Sequence, residues 1–153
     1  MKPSERIKAL GLVLPPAPPP AGLYKPVLVV DHFLYVSGQG PMLPNGSLYT
    51  GRVGDDLDLS QGKDAAKQVA LTMLATITAH FGDVDRIKRL VKTLGMVNCT
   101  PDFNEHPLVI NGYSELMASV FGEDHGVGVR SAVGMMLPGQ VAVEIEAMFE
   151  LHT

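Results

Sequence analysis

The chain has 153 residues, of which 46% are apolar and only 18% charged, and its formal net charge is −4. This length predicts one domain, residues 1–153. The 12 Lys and Arg residues are outnumbered by 16 Asp and Glu residues and form no long run, so nucleic-acid binding is disfavoured. The single cysteine, Cys99, excludes an intrachain disulfide. Because so many apolar and so few charged residues are hard to accommodate in a small monomer, the composition favours an oligomer.

The sequence predicts no insertion into a membrane. No apolar run approaches the ~20 residues that are needed to span a bilayer. The first residues, MKPSERIKALG, have scattered charges and lack the apolar stretch of a secretory signal. We therefore expect a cytoplasmic protein with no membrane partner.

Residues 1–22 form a candidate N-terminal extension. Within it, residues 4–10 favour one or two helical turns, and residues 15–20 form a proline-rich run that should be extended and polyproline-like. A ligand for a PxxP-binding partner is the alternative, but no basic residue flanks the run in register, which favours a structural connector. Several adjacent apolar residues seldom stay exposed, so we expect four of them to dock on the body: Leu10, Leu12, Val13 and Leu14.

Two short apolar runs, residues 27–30 and 33–37, surround a two-residue polar turn and predict a β-hairpin. Gly38 and Gly40 follow the second strand. Glycines at a strand end permit either an unusual backbone or the close approach of a ligand or another chain. Further along, residues 48–53 predict a short third strand.

The middle of the chain predicts a helix followed by a strand. Asp58 and Gln61 have the spacing of a capping box, after which apolar residues recur every three or four positions until Gly82. Residues 87–99 favour a strand that becomes apolar on both faces, so we expect it to lie inside the sheet.

A second helix is predicted between Pro107, which favours the first helical turn, and Gly122. Gly112 lies inside this helix. Since a mid-helix glycine costs about 1 kcal/mol relative to alanine, close packing of the helix is the expected reason for it.

The C-terminal residues predict two further strands. One strand carries Arg130, and the other, residues 141–151, alternates strictly between apolar side chains and a face with three glutamates that include Glu144. With Pro138 and Gly139 as a turn, the pattern predicts an antiparallel hairpin that brings the guanidinium near a carboxylate. Such a pair can hold a small carboxylated molecule; a solvated face or a cross-strand salt bridge is the alternative. Taken in order, the elements predict an α+β sandwich with two helices on one face of a mixed sheet.

No motif of a metal-dependent or nucleotide-dependent enzyme is present, and we expect neither a metal nor a cofactor. The five histidines lie far apart, and no His and Cys cluster has zinc-ligand spacing. Residues 60–63 match S-x-x-K, but the companion motifs of that class are missing. Cys99 fits a small apolar residue at a sheet end, since a nucleophile would need a basic partner. The remaining candidates for a binding site lie at the ends of strands or on a helix: Tyr24, Ser37, Gly38, Gln39, Gly40, Pro41, Asn111, Arg130 and Glu144.

Read in order, these candidates and their neighbours resemble the RidA/YjgF family, which is also called the endoribonuclease L-PSP family. The resemblance covers about residues 24–148. Its most specific parts are the SGQ-x-P motif at residues 37–41 and a C-terminal succession of Arg-Ser at 130–131, Leu-Pro at 137–138 and VEIEA at 143–147; the NCTPDF segment at 98–103 also matches.

The resemblance implies a chorismate-mutase-like α+β fold and a homotrimer, with the sheets packed into an inner barrel and a cleft between neighbouring subunits. Members of the family hydrolyse reactive enamines and imines, such as 2-aminoacrylate, to 2-keto acids and ammonia without a cofactor. Arg130 would grip the substrate carboxylate, for which its planar fork is better suited than a lysine. Glu144 would orient the attacking water. The resemblance places the remaining substrate-binding residues at Tyr24 on the cleft wall, at Ser37, Gly38 and Gln39, and at Asn111 on the helix.

Three departures from the family pattern indicate a divergent branch. Ala132 stands where archetypal members have a cysteine, residues 127–129 replace the usual lead into the arginine, and a short insertion lies near residues 104–107. A non-catalytic protein that binds a small carboxylate metabolite, or regulates by binding it, is therefore the alternative to a deaminase. Ribonuclease activity, which the second family name suggests, is disfavoured by the net negative charge and the missing constellation of His and Lys.

Overall fold

The computed structural model describes all 153 residues of the chain. It contains three α-helices, α1 (Pro3–Ala9), α2 (Leu59–His80) and α3 (His106–Phe121), and five strands, β1 (Val27–Val30), β2 (Phe33–Gln39), β3 (Ile87–Val97), β4 (Val129–Gly134) and β5 (Val143–Leu151). The strands form one mixed sheet in the order β1-β2-β5-β3-β4, in which only β3 and β4 are parallel. The predicted α+β class and mixed sheet are confirmed. None of the helices is both long enough and apolar enough to cross a membrane.

Helix α2 begins at the predicted capping box. The backbone N–H of Gln61 donates to Oδ1 of Asp58 at 2.8 Å, and the backbone N–H of Asp58 donates to Oε1 of Gln61 at 2.9 Å. These bonds satisfy N–H groups that have no partner within the helix. Helices α2 and α3 bury their apolar faces against one side of the sheet, in a core cluster of 29 residues. On the other side, Leu28 and Tyr35 remain 46% and 43% exposed, so that face of the sheet is open.

At Gly112, α3 packs directly against the backbone of α2. It is buried, and a β-carbon built on it would overlap the backbone carbonyl oxygen of Lys63 in α2. Close packing of the helix, the reason predicted for this glycine, is confirmed.

We expect Gly112→Ala to lower the free energy of unfolding by about 2–3 kcal/mol, even though alanine is the better helix former, because the added methyl group must push the two helices apart. Thermal and urea unfolding measure this decrease in the free energy of unfolding. Gly22→Ala is the control, since its β-carbon would meet only the Tyr24 ring at 3.8 Å. An unfolding midpoint of Gly112→Ala equal to that of the wild type would contradict this account of the helix contact.

Strands β4 and β5 do not form the predicted hairpin. Strand β3 lies between them, parallel to β4 and antiparallel to β5. Residues 135–142 cross the end of β3: the Met135 N–H donates to the Val97 carbonyl, and the Asn98 N–H donates to the Ala142 carbonyl, both at 2.9 Å. A parallel neighbour requires a crossover, which α3 supplies between β3 and β4. The hairpin prediction was wrong because alternation shows which residues share a face of a strand and not which strand is the neighbour.

The predicted third strand is also wrong. Residues 48–53 form only isolated bridges, from Leu48 to Met42, from Thr50 to Val141, and from Val53 to both Leu57 and Cys99. The segment therefore crosses the end of the sheet without extending it.

The N-terminal extension docks in part. Helix α1 is present, Leu12 and Leu14 pack against the core cluster, and Pro15 is buried. Leu10 and Val13, in contrast, are 49% and 67% exposed. The docking prediction holds for two of the four apolar residues, and these two are enough to fix the start of the proline-rich run.

Candidate functional site

Arg130 lies on the edge strand β4, on the face of the sheet that carries the helices, and α3 holds its guanidinium. Nη1 donates to the Ser114 hydroxyl at 2.9 Å, and Nη2 donates to Oδ1 of Asn111 at 2.8 Å and to the Pro107 carbonyl at 3.1 Å. A guanidinium has more N–H groups than these three bonds use. Thus the fold brings together Arg130 and Asn111, two of the predicted substrate-binding residues, and leaves donors for a ligand.

The charge of Arg130 has no acidic partner. Its three acceptors are neutral, and none of the salt bridges of the protein includes it. The alternative interpretation, a cross-strand salt bridge with Glu144, is therefore excluded within the chain. A positioned guanidinium without a carboxylate partner is suited to bind the carboxylate of a ligand.

Glu144, the second predicted catalytic residue, lines a cleft of about 740 Å³. Tyr24, Ser37, Gly38 and Gln39, which the sequence predicts as substrate-binding residues, line the same cleft. The structure therefore gathers these five predicted residues around one space, formed by the end of β2 and the start of β5.

Gly38 faces the Glu144 carboxyl. A β-carbon built on Gly38 would lie 2.5 Å from Oε2 and 3.1 Å from Cδ of Glu144. Gly38 and Gly40 are not among the glycines with a positive φ. Of the two roles that the sequence allows for a glycine here, Gly38 therefore permits a close approach, in this case by the side chain of Glu144.

The other lining residues hold one another in place. The Ser37 hydroxyl donates to a backbone carbonyl at 2.6 Å, and the amide of Gln39 donates to the Ser37 carbonyl at 3.0 Å. The buried Thr76 hydroxyl donates to Oε1 of Gln39 at 2.7 Å, and the Tyr24 hydroxyl accepts from the Ala21 N–H at 3.0 Å. These bonds fix the shape of the cleft, and they leave the Tyr24 O–H as a donor.

Burial raises the pKa of the Glu144 carboxyl, and the nearby Glu146 carboxyl raises it further. Desolvation and a like charge both disfavour the ionised form. A carboxylate is a stronger base when its pKa moves toward neutrality, so this environment suits a residue that takes a proton from water.

We expect Glu144→Gln to raise the melting temperature at pH 8, by about 1–3 °C, and to have less effect at pH 4. The raised pKa means that the folded protein binds more protons than the unfolded chain in the range between the two pKa values, so stability falls as the pH rises through that range. Above it, the wild type carries the full cost of an ionised, partly buried Glu144, which glutamine removes. Melting curves of both proteins from pH 4 to 8 test this pH dependence. A difference in melting temperature between the variant and the wild type that is constant with pH would contradict it.

Arg130 and Glu144 lie on opposite faces of the sheet. Arg130 pairs with Thr93 of β3, whereas Glu144 pairs with Met96 of the same strand, without a bulge between the two positions. Because side chains alternate along a strand, residues three apart point to opposite sides. The expectation that one polar face brings the two groups together is therefore wrong for a single chain.

Sequence reasoning missed a contact between Cys99 and His106. The Cys99 sulfur lies 3.3 Å from Nε2 of His106, whose ring packs edge-on against Phe103. Burial raises the pKa of the Cys99 thiol, partly opposed by the positive charge of Arg52. The protonated thiol is therefore favoured, which agrees with the predicted role of a small apolar residue at a sheet end. A spacing of seven residues carries no signal for this pair, because only the turn into α3 brings it together.

The chain matches a family model and several known proteins over nearly its whole length. The model described as "YjgF/chorismate_mutase-like, putative endoribonuclease" matches residues 4–141. Protein TCP17 of Trypanosoma cruzi is 42% identical over 147 residues, which cover 95% of this chain and 92% of that protein.

Two solved structures are similar in both sequence and fold. The protein Atu1372 of Agrobacterium tumefaciens, described as of unknown function, has a TM-score of 0.88 and 42% identity, covering 98% of this chain and 92% of that chain. A protein of Shewanella oneidensis described as a "putative endoribonuclease" has a TM-score of 0.92 and 31% identity, covering 99% and 100% of the two chains. The chain belongs to the YjgF/chorismate mutase-like family, the RidA/YjgF family that its motifs resemble.

Proposed function

We propose that the protein hydrolyses 2-imino and 2-enamine carboxylates to 2-keto acids and ammonia. The observation that carries this proposal is a pair of complementary groups: Arg130, which has no acidic partner, and Glu144, whose pKa is raised in a cleft where Gly38 makes room for it. The first suits a substrate carboxylate, and the second suits the activation of water. Membership in the YjgF/RidA family supports the same chemistry.

The opposite placement of Arg130 and Glu144 favours a site that two subunits complete. The open face of the sheet exposes apolar side chains, among them Leu28, Tyr35 and Val133 at 46%, 43% and 36%. An apolar surface of this kind favours association. We propose a homotrimer in which Arg130 of one subunit faces Glu144 of the next across each cleft, the arrangement that the family resemblance implies.

In the proposed reaction, Arg130 fixes the substrate carboxylate and thereby places the imine carbon beside Glu144. The Glu144 carboxylate takes a proton from water as the water oxygen attacks that carbon. Glu144 passes this proton to the imine nitrogen, which gives a neutral carbinolamine. The carbinolamine hydroxyl then gives its proton to Glu144, which passes it to the nitrogen as the carbon–nitrogen bond breaks, so that ammonia leaves and the carbon–oxygen double bond of the keto acid forms. An imine and one water molecule thus give one keto acid and one ammonia. No thiol takes part, which agrees with Ala132 at the position of the family cysteine.

The test is the release of keto acid from freshly generated imines, compared with the spontaneous rate and with Arg130→Ala. Arg130→Lys adds a sharper control: we expect it to fold normally but to bind pyruvate or 2-ketobutyrate about ten-fold or more weakly, because one ammonium group cannot bond both the α3 acceptors and the ligand carboxylate as the guanidinium can. Calorimetry and melting temperatures measure both properties. Unchanged affinity together with lowered melting would give Arg130 a purely structural role.

A non-catalytic protein that binds a small carboxylate is the second candidate, and Ala132 is the observation that favours it. It would use the same residues without turnover. Keto-acid binding that depends on Arg130, without acceleration of hydrolysis for any imine, would support this candidate over the deaminase. The absence of a cofactor and a cytoplasmic location remain predictions under both.

A further inference from the structure

The proline-rich run occupies a position that the proposed reaction does not use. We call residues 15–21 the strap. Four of its residues, Pro18, Pro19, Pro20 and Ala21, form one wall of the cleft that contains Glu144. The sequence predicts a structural connector for this run, and in the structure the connector also borders the candidate site.

The strap is anchored to the core at its start and is held by a local hydrogen bond at its end. At its start Pro15 is buried and the preceding Leu14 packs against the core. At its end the Ala21 N–H donates to the Tyr24 hydroxyl. Between these points the proline rings restrict the backbone and supply no N–H donor. The wall is therefore preformed and largely apolar, a surface of the kind on which aromatic and branched groups pack.

The cleft is large for the smallest substrates of the proposed reaction. Its volume is about 740 Å³. Since a water molecule takes up about 30 Å³ in the liquid, this is the volume of roughly two dozen waters, several times that of a three-carbon keto acid. Pockets of roughly 300–1,000 Å³ typically enclose ligands of drug size. In the single chain, a small acid would leave most of the apolar wall uncovered.

Apolar side chains continue the lining beyond the strap. The lining also includes Met42, Leu48, Met96 and Val141. Of these, Leu48 is 43% exposed. The single strand-like bridge of Leu48, to Met42, leaves its side chain exposed at the border of the cleft. A ligand with a large apolar group would cover this surface.

The polar side chains of the lining are engaged within the protein, except for the carboxyls of Glu144 and Glu146 and for the Tyr24 O–H, which remains a donor. Gln39 is bonded to Thr76 and to a backbone carbonyl, and the Thr72 hydroxyl accepts from one backbone N–H and donates to a backbone carbonyl. No hydrogen bond of the protein reaches the carboxyls of Glu144 and Glu146. The cleft therefore has a polar end at these two carboxyls, and apart from the Tyr24 O–H the rest of its lining is apolar or already hydrogen-bonded.

We propose that the strap makes this cleft selective for 2-imino and 2-keto carboxylates with a large apolar side chain, aromatic or branched, which packs between the strap prolines and Leu48. This inference rests on the proposed function for the position of the reacting carbon near Glu144. To the proposed reaction it adds the class of substrate, namely acids with a large apolar side chain. The imines of phenylalanine or leucine would fit the cleft, and those of alanine or serine would fill only its polar end.

Two experiments test the proposal. The first is calorimetry with pyruvate and phenylpyruvate. The second is hydrolysis of the imines that an amino acid oxidase generates from alanine and phenylalanine. We expect the wild type to bind phenylpyruvate about ten-fold or more tightly than pyruvate, a factor that burial of a few carbon groups supplies. The triple variant Pro18→Ala, Pro19→Ala, Pro20→Ala should lose this preference. Leu48→Ala should reduce it without a change in the strap, and Pro16→Ala, exposed and outside the lining, should keep it.

Equal affinities of the wild type for the two acids would overturn the proposal, as would a triple variant that keeps the preference or weakens both acids alike. Hydrolysis of both imines at equal rates with equal binding would overturn this inference and leave the proposed reaction intact. Preferred binding of phenylpyruvate without hydrolysis of any imine would support the inference and contradict the proposed reaction.

Discussion

Arg130→Ala and Glu144→Gln are each expected to slow imine hydrolysis by about 100-fold or more, yet an equal mixture of the two chains, assembled together, should regain about a quarter of the wild-type activity. The reason is the placement of the two residues on opposite faces of the sheet. If each site takes Arg130 from one subunit and Glu144 from its neighbour, a mixed site is intact only when the Glu144→Gln chain supplies the arginine and the Arg130→Ala chain supplies the glutamate. Random assembly gives that combination at about one site in four.

The experiment mixes the unfolded chains before refolding, so that subunits combine at random. A mixture of Arg130→Ala with Arg130→Lys is the control, because no combination of these chains restores the arginine. Light scattering on the same samples measures the oligomeric state, for which a trimer is expected. Activity that stays at the level of the single variants, in oligomers shown to contain both chains, would mean that one chain supplies both groups; a stable monomer would remove the shared cleft altogether.

Gly38→Ala is expected to reduce the rate of hydrolysis by about 100-fold while the melting temperature changes little. The added methyl group would lie 2.5 Å from Oε2 of Glu144 and 3.3 Å from Cγ, so the carboxyl has to turn away from its position in the cleft. The backbone of Gly38 does not have a positive φ, so alanine introduces no strain there. The substitution therefore displaces the proposed base and leaves the fold in place.

Gly40→Ala is the matched control, two residues further along the same cleft. Its β-carbon would meet Leu48 at 3.5 Å and Val141 at 3.8 Å, which are ordinary contacts. The rate of hydrolysis should therefore fall in Gly38→Ala and not in Gly40→Ala, whereas the melting temperatures of the two variants should be similar. If Gly38→Ala keeps wild-type activity, the position of the Glu144 carboxyl beside Gly38 is not the position that the reaction uses.

Several elements could be predicted from the sequence because their signals are local. The helix that begins after Asp58 depends on a capping pattern and on apolar residues at helical spacing, both within one segment. The first hairpin depends on two short apolar runs around a turn, and the structure pairs Val30 with Phe33 across it. Gly112 was interpretable for a related reason, since a glycine inside a clear helical pattern already indicates close packing.

For the candidate site, too, the sequence predicted the residues but not their arrangement in space. The motifs that resemble the RidA/YjgF family predicted Arg130, Glu144, Gly38 and Asn111 as candidate site residues. The contact of Asn111 with Arg130 follows from the packing of α3 on β4. The face that each residue occupies could not be read from the motifs. Residues 135–142 can turn back or cross a neighbouring strand with the same local composition, and only the pairing of β3 with both β4 and β5 decides between them.

The sequence alone therefore determined the positions of the helices and of the five strands, the family and the chemical groups, because these depend on residue identity and on spacing within a segment. Only the tertiary structure decided that β3 separates β4 from β5, that Arg130 and Glu144 face opposite sides, that Cys99 meets His106 and that the proline strap borders the Glu144 cleft. Each of these is a contact between segments far apart in the chain. Such contacts are selected by the burial of apolar surface over the whole fold, which no local pattern records.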